Sequence, residues 1–347
     1  MITKSFEEVY GTVEKIVIAA GTPKENARVV AQLLAGSHLA GHDSHGIQHL
    51  PRYIREVRAG EIVANAFPEL LSETDATALV RGNWAWGHVT TDFITQVGIQ
   101  KARKAKVALV SGVEVNHIGR LGHYSEQAAK EGVVTILASG GNAEEVATAA
   151  PFGGKKSVLS PNPIAMGFPT PGDGPVIVDF ATTQVAGGKI AAAKAKGERL
   201  PPGWIIDKQG DPSISPDDYF AGGSLLPFGA HKGFGIMVAM EIMGRILAGA
   251  DAYSKTTRGG VHFRHCGVSL IAIDCGVFSS RDCFVERTRE LASRIRAVPP
   301  APGVAAVMAP GDFEQQMRAR RLQEGIQVPE STWSEIVQTA DSLGVQL

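Results

Sequence analysis

The chain has 347 residues, of which 44% are hydrophobic and 20% are charged, and its formal net charge is −1 at pH 7. The length predicts about two domains with buried cores, and the apolar content excludes a disordered chain. The near-zero charge leaves no basic excess for binding nucleic acid or an acidic membrane. Three cysteines without a metal or redox spacing, and an N-terminus without a signal-peptide pattern, predict a cytoplasmic protein.

Hydrophobic periodicity predicts a mixed α/β chain in which helices and strands alternate. The predicted helices are 4–20, 25–40, 46–59, 88–105, 122–131, 187–196, 231–249, 281–297, 312–325 and 331–343. The predicted strands are 76–82, 107–113, 133–139, 157–168, 174–181 and 268–274. Residues 197–230 are rich in Gly, Pro, Asp and Ser and are predicted to form an extended loop.

The order of these elements predicts a helical unit built from both ends of the chain. Residues 1–75 form its N-terminal part, and residues 298–347 supply C-terminal helices that pack with that part. Residues 76–297 form the sheet domain with the loop insertion. The chain contains neither a GxGxxG string nor a P-loop. A bound dinucleotide would therefore need another means of holding its phosphates.

Four histidines fall within twelve residues, namely His38, His42, His45 and His49. On an uninterrupted helix they would share one face, which makes a metal site one hypothesis. The string GHDSHG argues against it, since its glycines and its Asp–Ser pair favour a helix that stops and restarts. Histidines without a role are a second interpretation. Acid–base chemistry at Ser44 and His45 is a third, because imidazole titrates near neutral pH.

Three further segments are candidate sites. The turn after strand 107–113 contains His117, Gly119 and Arg120, and its backbone amides and guanidinium suit a pyrophosphate. Asp179 ends an apolar strand beside a loop, a usual active-site position. Lys232 lies in the first turn of an apolar helix, where the helix dipole disfavours a cation unless it meets an anion. The plainer interpretations are a strand–turn–helix connection, a turn cap and a solvated lysine.

Several strings, in chain order, resemble one family. They are GHDSHGI–PRY, NHIGRLGHYSEQAA, PFGG, NPIAMGFP, VDFATTQVAGGKI, PPGWIIDKQGDP, HKGFGIMVAMEI and APGDFE. Together they resemble the type 2 malate/L-lactate dehydrogenases, and within them the hydroxycarboxylate dehydrogenase B branch. The resemblance implies a non-Rossmann α/β (α+β) fold with a largely antiparallel central sheet and a helical domain from both termini. It also implies NAD or NADP as cofactor and a homodimer.

The resemblance also implies roles for individual residues. The serine–histidine pair of the family falls on Ser44 and His45, its partner aspartate on Asp179, and the histidine of the NHxG turn on His117. Cofactor contacts carry over to Gly119, Arg120, Leu121, Asp179, Phe180, Ala181, Thr182, Thr183, His231, Lys232, Pro310, Gly311 and Asp312. The family usually has glutamate at the last of these positions.

The implied reaction is hydride transfer between NAD(P) and a small 2-hydroxy or 2-oxo carboxylic acid. His45 carries the proton, Ser44 and Asp179 orient its ring, His117 is the competing acid–base group, and Arg52 binds the substrate carboxylate. Three alternatives remain at this point. They are a cyclic imino-acid reductase on the same scaffold, a metal-dependent hydrolase that uses the four histidines, and a non-catalytic nucleotide-binding protein.

Overall fold

The computed structural model describes residues 1–141, 144–172, 174–254 and 258–347. Its strands are β1 (Ile2–Lys4), β2 (Glu69–Glu73), β3 (Thr77–Arg81), β4 (Val107–Val113), β5 (Val133–Gly140), β6 (Ile164–Phe168), β7 (Val176–Phe180), β8 (Ile205–Ile206), β9 (Pro212–Ser213), β10 (Ser224–Leu225), β11 (Gly267–Asp274) and β12 (Ile326–Val328). Its helices are α1 (Phe6–Ala19), α2 (Lys24–Leu39), α3 (Leu50–Arg58), α4 (Gly87–Ala105), α5 (Gly122–Lys130), α6 (Gly187–Lys196), α7 (Pro216–Phe220), α8 (His231–Glu241), α9 (Gly260–Phe263), α10 (Arg281–Arg296), α11 (Asp312–Glu324) and α12 (Glu330–Asp341).

The central sheet has the strand order β2-β3-β4-β11-β5-β6-β7. The β3–β4 pair is parallel, and the other neighbouring pairs are antiparallel. Strand β11 reaches the middle of the sheet from late in the chain, and its apolar residues are mostly buried there. The predicted non-Rossmann fold with a largely antiparallel sheet is therefore confirmed.

Both ends of the chain pack into one helical unit. Strands β1 and β12 pair with each other, with Thr3 opposite Gln327. Val9 of α1, Leu34 of α2 and Ile336 of α12 belong to the same buried cluster, because each helix turns its apolar stripe toward the others. The predicted boundaries at residues 75/76 and 297/298 remain a prediction.

Two predicted elements are shorter than the periodicity suggested. The helix predicted at 46–59 begins at Leu50, because Gly46 is extended and separates two 3₁₀ turns, Asp43–His45 and Ile47–His49. The predicted strand 157–168 is confined to β6. Its earlier part runs without regular pairing, apart from a bridge between Ala149 and Leu159.

Other elements escaped the sequence patterns. Strand β2 is mostly exposed, so it carries no buried alternation. The predicted loop 197–230 contains a three-stranded sheet of two-residue strands, too short for a periodic signal, and α7. The helix predicted at 231–249 ends at Glu241 and continues as the π-helical turn Ile242–Ile246. None of the helices in the described ranges has the length and apolarity needed to cross a bilayer.

Candidate active site

One cavity of about 560 Å³ collects most of the predicted site residues. It lies between the turn after α2, the turn after β4, the end of β7 and the start of α6. The predicted residues that line it are Ser44, His45, Arg52, His117, Gly119, Arg120, Leu121, Asp179, Phe180, Ala181 and Thr183. Segments that are far apart in the sequence therefore meet at a single site.

The other predicted cofactor residues do not line this cavity. Thr182 is buried, and its hydroxyl donates to the carbonyls of Pro161 and Asn162. His231 and Lys232 are exposed at the start of α8. The carbonyl of Pro310 accepts a hydrogen bond from β7, Gly311 precedes α11 with φ 100°, and the Asp312 carboxylate pairs with Arg296. Their contacts with a cofactor remain predictions.

The helix is interrupted around Ser44 and His45, as the glycines of the GHDSHG string predicted. Gly41 has φ +85°, and a Cβ on Gly46 would lie 2.1 Å from Nδ1 of His38, so neither position tolerates a side chain. His45 is thereby placed at the cavity wall with Nδ1 3.1 Å from the Ser44 hydroxyl. The hydroxyl can either donate to this nitrogen or accept from it.

Helix α11, from the far end of the chain, holds this turn in place. Nε2 of His42 lies 2.7 Å from Glu314, and Arg321 is 2.5 Å from the carboxylate of Asp43. The backbone N–H of His45 in turn donates to the carbonyl of His42. The position of His45 thus depends on contacts made by the C-terminal helices.

The four clustered histidines do not converge on one point. His38 is buried 3.6 Å from Asp43, His42 pairs with Glu314, and His45 and His49 have ring centroids 6.4 Å apart. Within the described ranges, no group of three or more His, Cys, Asp or Glu residues is placed to hold a metal ion. The described residues therefore offer no set of metal ligands for the metal-dependent hydrolase alternative.

Arg120 is almost fully buried and is neutralised by two acids. Its Nη2 donates to Glu126 at 2.6 Å, and its Nε lies 3.6 Å from Asp179. Glu126 also pairs with Arg318 of α11 at 2.5 Å. Burial alone would raise the pKa of Glu126, but the two guanidinium groups outweigh burial and lower it.

Asp179 does not contact His45, which differs from the role that the resemblance implied. Its Oδ2 accepts from the backbone N–H of Gly122 at 2.7 Å, at the start of α5, and faces Arg120. A Cβ on Gly122 would lie 2.8 Å from this oxygen, so the close approach requires glycine. Asp179 therefore ties β7 to the turn after β4, and no hydrogen bond or ion pair joins it to the imidazole of His45.

Burial keeps His45, His49 and His117 neutral at neutral pH. It lowers the pKa of His45 and of His49 from 6.5 to about 4, with further lowering by the positive charge of Arg52. The pKa of His117 is also well below 6.5 for the same reason. At neutral pH each ring therefore has one unprotonated nitrogen, which can accept a proton or a hydrogen bond.

His117 lies beside His45, with ring planes inclined by 16° and centroids 6.3 Å apart. Its Nδ1 is 2.6 Å from the hydroxyl of Tyr53, a buried residue of α3. Arg52, the residue before Tyr53 in α3, lines the cavity. Its Nε forms an ion pair with Glu56 at 3.3 Å, and neither Nε nor Nη2 makes a hydrogen bond within the described residues. A positive group with unused donors thus lies near both imidazoles.

Several cavity residues were not among the predicted catalytic, cofactor or substrate residues. They are His42, Asn116, Ile118, Ser139, Gly140, Ser160, Pro161, Asn162, Pro163, Gln184, Val185, Ala186, Gly187, Lys189, His262, Phe263 and Cys266. Most are small or apolar and stand in loops. A buried hydroxyl at Ser160 has no partner in the described part of the chain, which marks a place for a polar ligand. Only the folded chain reveals this.

The sequence model of the malate/L-lactate dehydrogenases matches residues 4–337 of this chain. The chain belongs to this family. Its relatives include the malate/(S)-sulfolactate dehydrogenase of Methanothermus fervidus, which is 33% identical over 98% of both chains. Hydroxycarboxylate dehydrogenase B of Escherichia coli O157:H7 is 31% identical over 98% of this chain and 94% of its own length.

Solved structures agree with the family assignment. The malate dehydrogenase of Entamoeba histolytica superposes with a TM-score of 0.93 at 26% identity and covers 100% of this chain and 99% of its own. The delta1-piperideine-2-carboxylate reductase of Pseudomonas syringae pvar. tomato superposes with a TM-score of 0.86 at 28% identity, with 98% and 100% coverage. A protein named as a delta1-piperideine-2-carboxylate reductase therefore shares this fold.

We predict that buried His88 makes stability depend on pH. Burial lowers its pKa from 6.5 to about 3, so between these values the unfolded chain binds a proton that the folded chain does not. Stability therefore falls as the pH drops below 6.5. His88→Gln should reduce the slope of unfolding free energy against pH by up to about 1.4 kcal/mol per pH unit. Urea unfolding between about pH 6 and pH 4.5 measures both slopes, and equal slopes would contradict this account.

Proposed function

We propose that the protein is an NAD(P)-dependent oxidoreductase that transfers a hydride between the cofactor and a small 2-hydroxy or 2-oxo carboxylic acid. The observation that carries the proposal is the meeting of His45, His117 and Arg52 at one cavity. A neutral imidazole can accept the hydroxyl proton, and a guanidinium with unused donors can bind the carboxylate. The relatives named malate and sulfolactate dehydrogenases act on acids of this class.

The cavity residues fit a nicotinamide dinucleotide. About 560 Å³ is within the usual range of ligand sites. The turn Gly119–Leu121, residues 179–181 and Thr183 would hold the cofactor, and the unpartnered Ser160 hydroxyl would gain a polar partner. When bound, the nicotinamide supplies or accepts the hydride.

The protein itself handles the proton and the charge of the acid. In the direction of oxidation, neutral His45 accepts the hydroxyl proton of the substrate, and in reduction it returns that proton to the oxo oxygen. Ser44 is hydrogen-bonded to Nδ1 and keeps the ring oriented as its charge changes. Arg52 holds the carboxylate, which places the reacting carbon in reach of His45.

A second candidate function is reduction of a cyclic imino acid. The structural similarity to the delta1-piperideine-2-carboxylate reductase favours it. Such a substrate has a carboxylate next to a C=N bond and would use the same carboxylate-binding group. The two functions differ in the atom that receives the proton, namely oxygen or nitrogen.

Three further properties are part of the proposal. The cofactor is NAD or NADP, the active form is a homodimer, and the protein acts in the cytoplasm. The family resemblance supports the cofactor and the dimer, and the cysteine pattern supports the compartment.

A substrate panel tests the proposal directly. We expect the purified protein to oxidise NADH or NADPH in the presence of at least one 2-oxo acid, such as oxaloacetate, pyruvate or sulfopyruvate, followed by the absorbance of the reduced cofactor. The same assay with a cyclic imino acid tests the second function. Turnover of the imine alone would replace the first function with the second, and turnover of neither class would contradict both.

His45→Ala should lower turnover by about 10²–10⁴-fold, which is the usual contribution of a positioned acid–base group. Cofactor affinity should change little, because His45 is proposed to act on the substrate proton and not to hold the cofactor. Turnover and cofactor binding are measured by the absorbance assay and by fluorescence titration. Unchanged turnover would assign the proton to another residue.

Arg52→Met should raise KM for the acid by roughly 10- to 100-fold, because one or two charge-assisted hydrogen bonds are lost. Cofactor affinity should stay unchanged. Arg55→Met is a matched control, since Arg55 lies on the same helix but is exposed and pairs with Glu335. A similar KM for both variants would show that Arg52 does not hold the carboxylate.

A further inference from the structure

A buried tyrosine controls one of the two imidazoles at the cavity. The hydroxyl of Tyr53 lies 2.6 Å from Nδ1 of His117, and the Tyr53 side chain is only 1% exposed. Among the described residues, this nitrogen is the only acceptor that the hydroxyl reaches. The other polar neighbour of the hydroxyl is the guanidinium of Arg52, which can only donate.

The direction of this hydrogen bond follows from burial. If Nδ1 of His117 carried the proton, it would donate to Tyr53, and the phenolic proton would then be left in the core without an acceptor. An unsatisfied buried donor is costly, so the phenol donates and Nδ1 accepts. Burial also raises the pKa of Tyr53 well above its ordinary value, which keeps the phenolic proton in place.

We propose that Tyr53 fixes His117 as the neutral tautomer with its proton on Nε2, so that His117 is a hydrogen-bond donor to the substrate and His45 is the proton carrier. The ring geometry supports this division. Nε2 is on the side of the ring away from Nδ1, His117 is partly exposed at the cavity, and no hydrogen bond to Nε2 occurs within the described residues.

His45 has no such lock. Its Nδ1 meets the hydroxyl of Ser44, which is partly exposed at the cavity and can change from donor to acceptor by rotating. His45 can therefore gain a proton on Nε2 while Nδ1–H donates to Ser44. His117 would lose its bond to Tyr53 if a second proton entered at Nδ1. The two stacked rings thus have different chemistry, although burial lowers the pKa of both.

The roles toward substrate rest on the proposed function, but the tautomer does not. Nitrogen-15 NMR of histidine-labelled protein reads the tautomer of the free protein, and His117→Gln assigns the resonances. We expect protonated Nε2 and unprotonated, hydrogen-bonded Nδ1 in the native protein. A proton on Nδ1 would overturn the proposal, and this spectrum decides it even if a Tyr53 variant fails to fold.

Tyr53→Phe removes the hydroxyl and keeps the ring. In this variant the Nδ1 resonance of His117 should move to the position of a nitrogen that accepts no hydrogen bond. The kcat should fall roughly 10- to 100-fold, as for other partners that orient a functional imidazole. Tyr124→Phe is the matched control, because Tyr124 is equally buried and its hydroxyl donates to the carbonyl of Ile118 in the same turn.

Tyr124→Phe should leave the His117 resonances unchanged and kcat within about twofold. Equal losses of kcat in the two variants would show that Tyr53 has only a structural role and would overturn the proposal. If the expected tautomer is found but no acid or imine is turned over, the proposed function fails and the assignment of His117 as a fixed donor stands.

Discussion

The buried charge of Arg120 is the constraint on which the site depends. A guanidinium at 2% exposure must be paired, because an unpaired buried charge costs several kcal/mol. Arg120 lies in the turn after β4, Glu126 of α5 pairs with it, and Asp179 faces it from the end of β7. Glu126 also binds Arg318 of α11. One pairing requirement therefore fixes the sheet, the turn after β4 and the C-terminal helix α11 relative to one another.

The same helix, α11, positions the Ser44–His45 turn, so both ends of the chain contribute to one cavity. Glu314 and Arg321 hold His42 and Asp43, the residues just before the Ser44–His45 pair. The turn is short and interrupted by glycine, so its own backbone hydrogen bonds are few. Contacts with α11 thus help to hold the turn in which His45 lies 6.3 Å from His117 between ring centroids.

The sequence predicted the fold and the composition of the cavity better than the contacts within it. Apolar runs such as Val133–Gly140 and the helix interruption at the GHDSHG string are local signals, and the structure confirms them. The exposed strand Glu69–Glu73 has no such signal. The resemblance implied that Asp179 lies beside His45, but its carboxylate contacts Gly122 and Arg120. A motif gives the residue types but not the partner that each one meets. Likewise Tyr53 lies in an ordinary amphipathic helix, and only its distance to His117 reveals a role.

The charges around the cavity link the proton affinity of His45 to the charge of a bound ligand. His45 has a low pKa because burial removes water and because Arg52 and Arg120 add positive potential. His45 is therefore a neutral base at neutral pH, as the proposed oxidation requires. In the proposed function, reduction needs a protonated ring, and a carboxylate at Arg52 would offset part of the positive potential that opposes protonation. An anionic substrate would then raise the proton affinity of His45, whereas a neutral ligand of similar size would not.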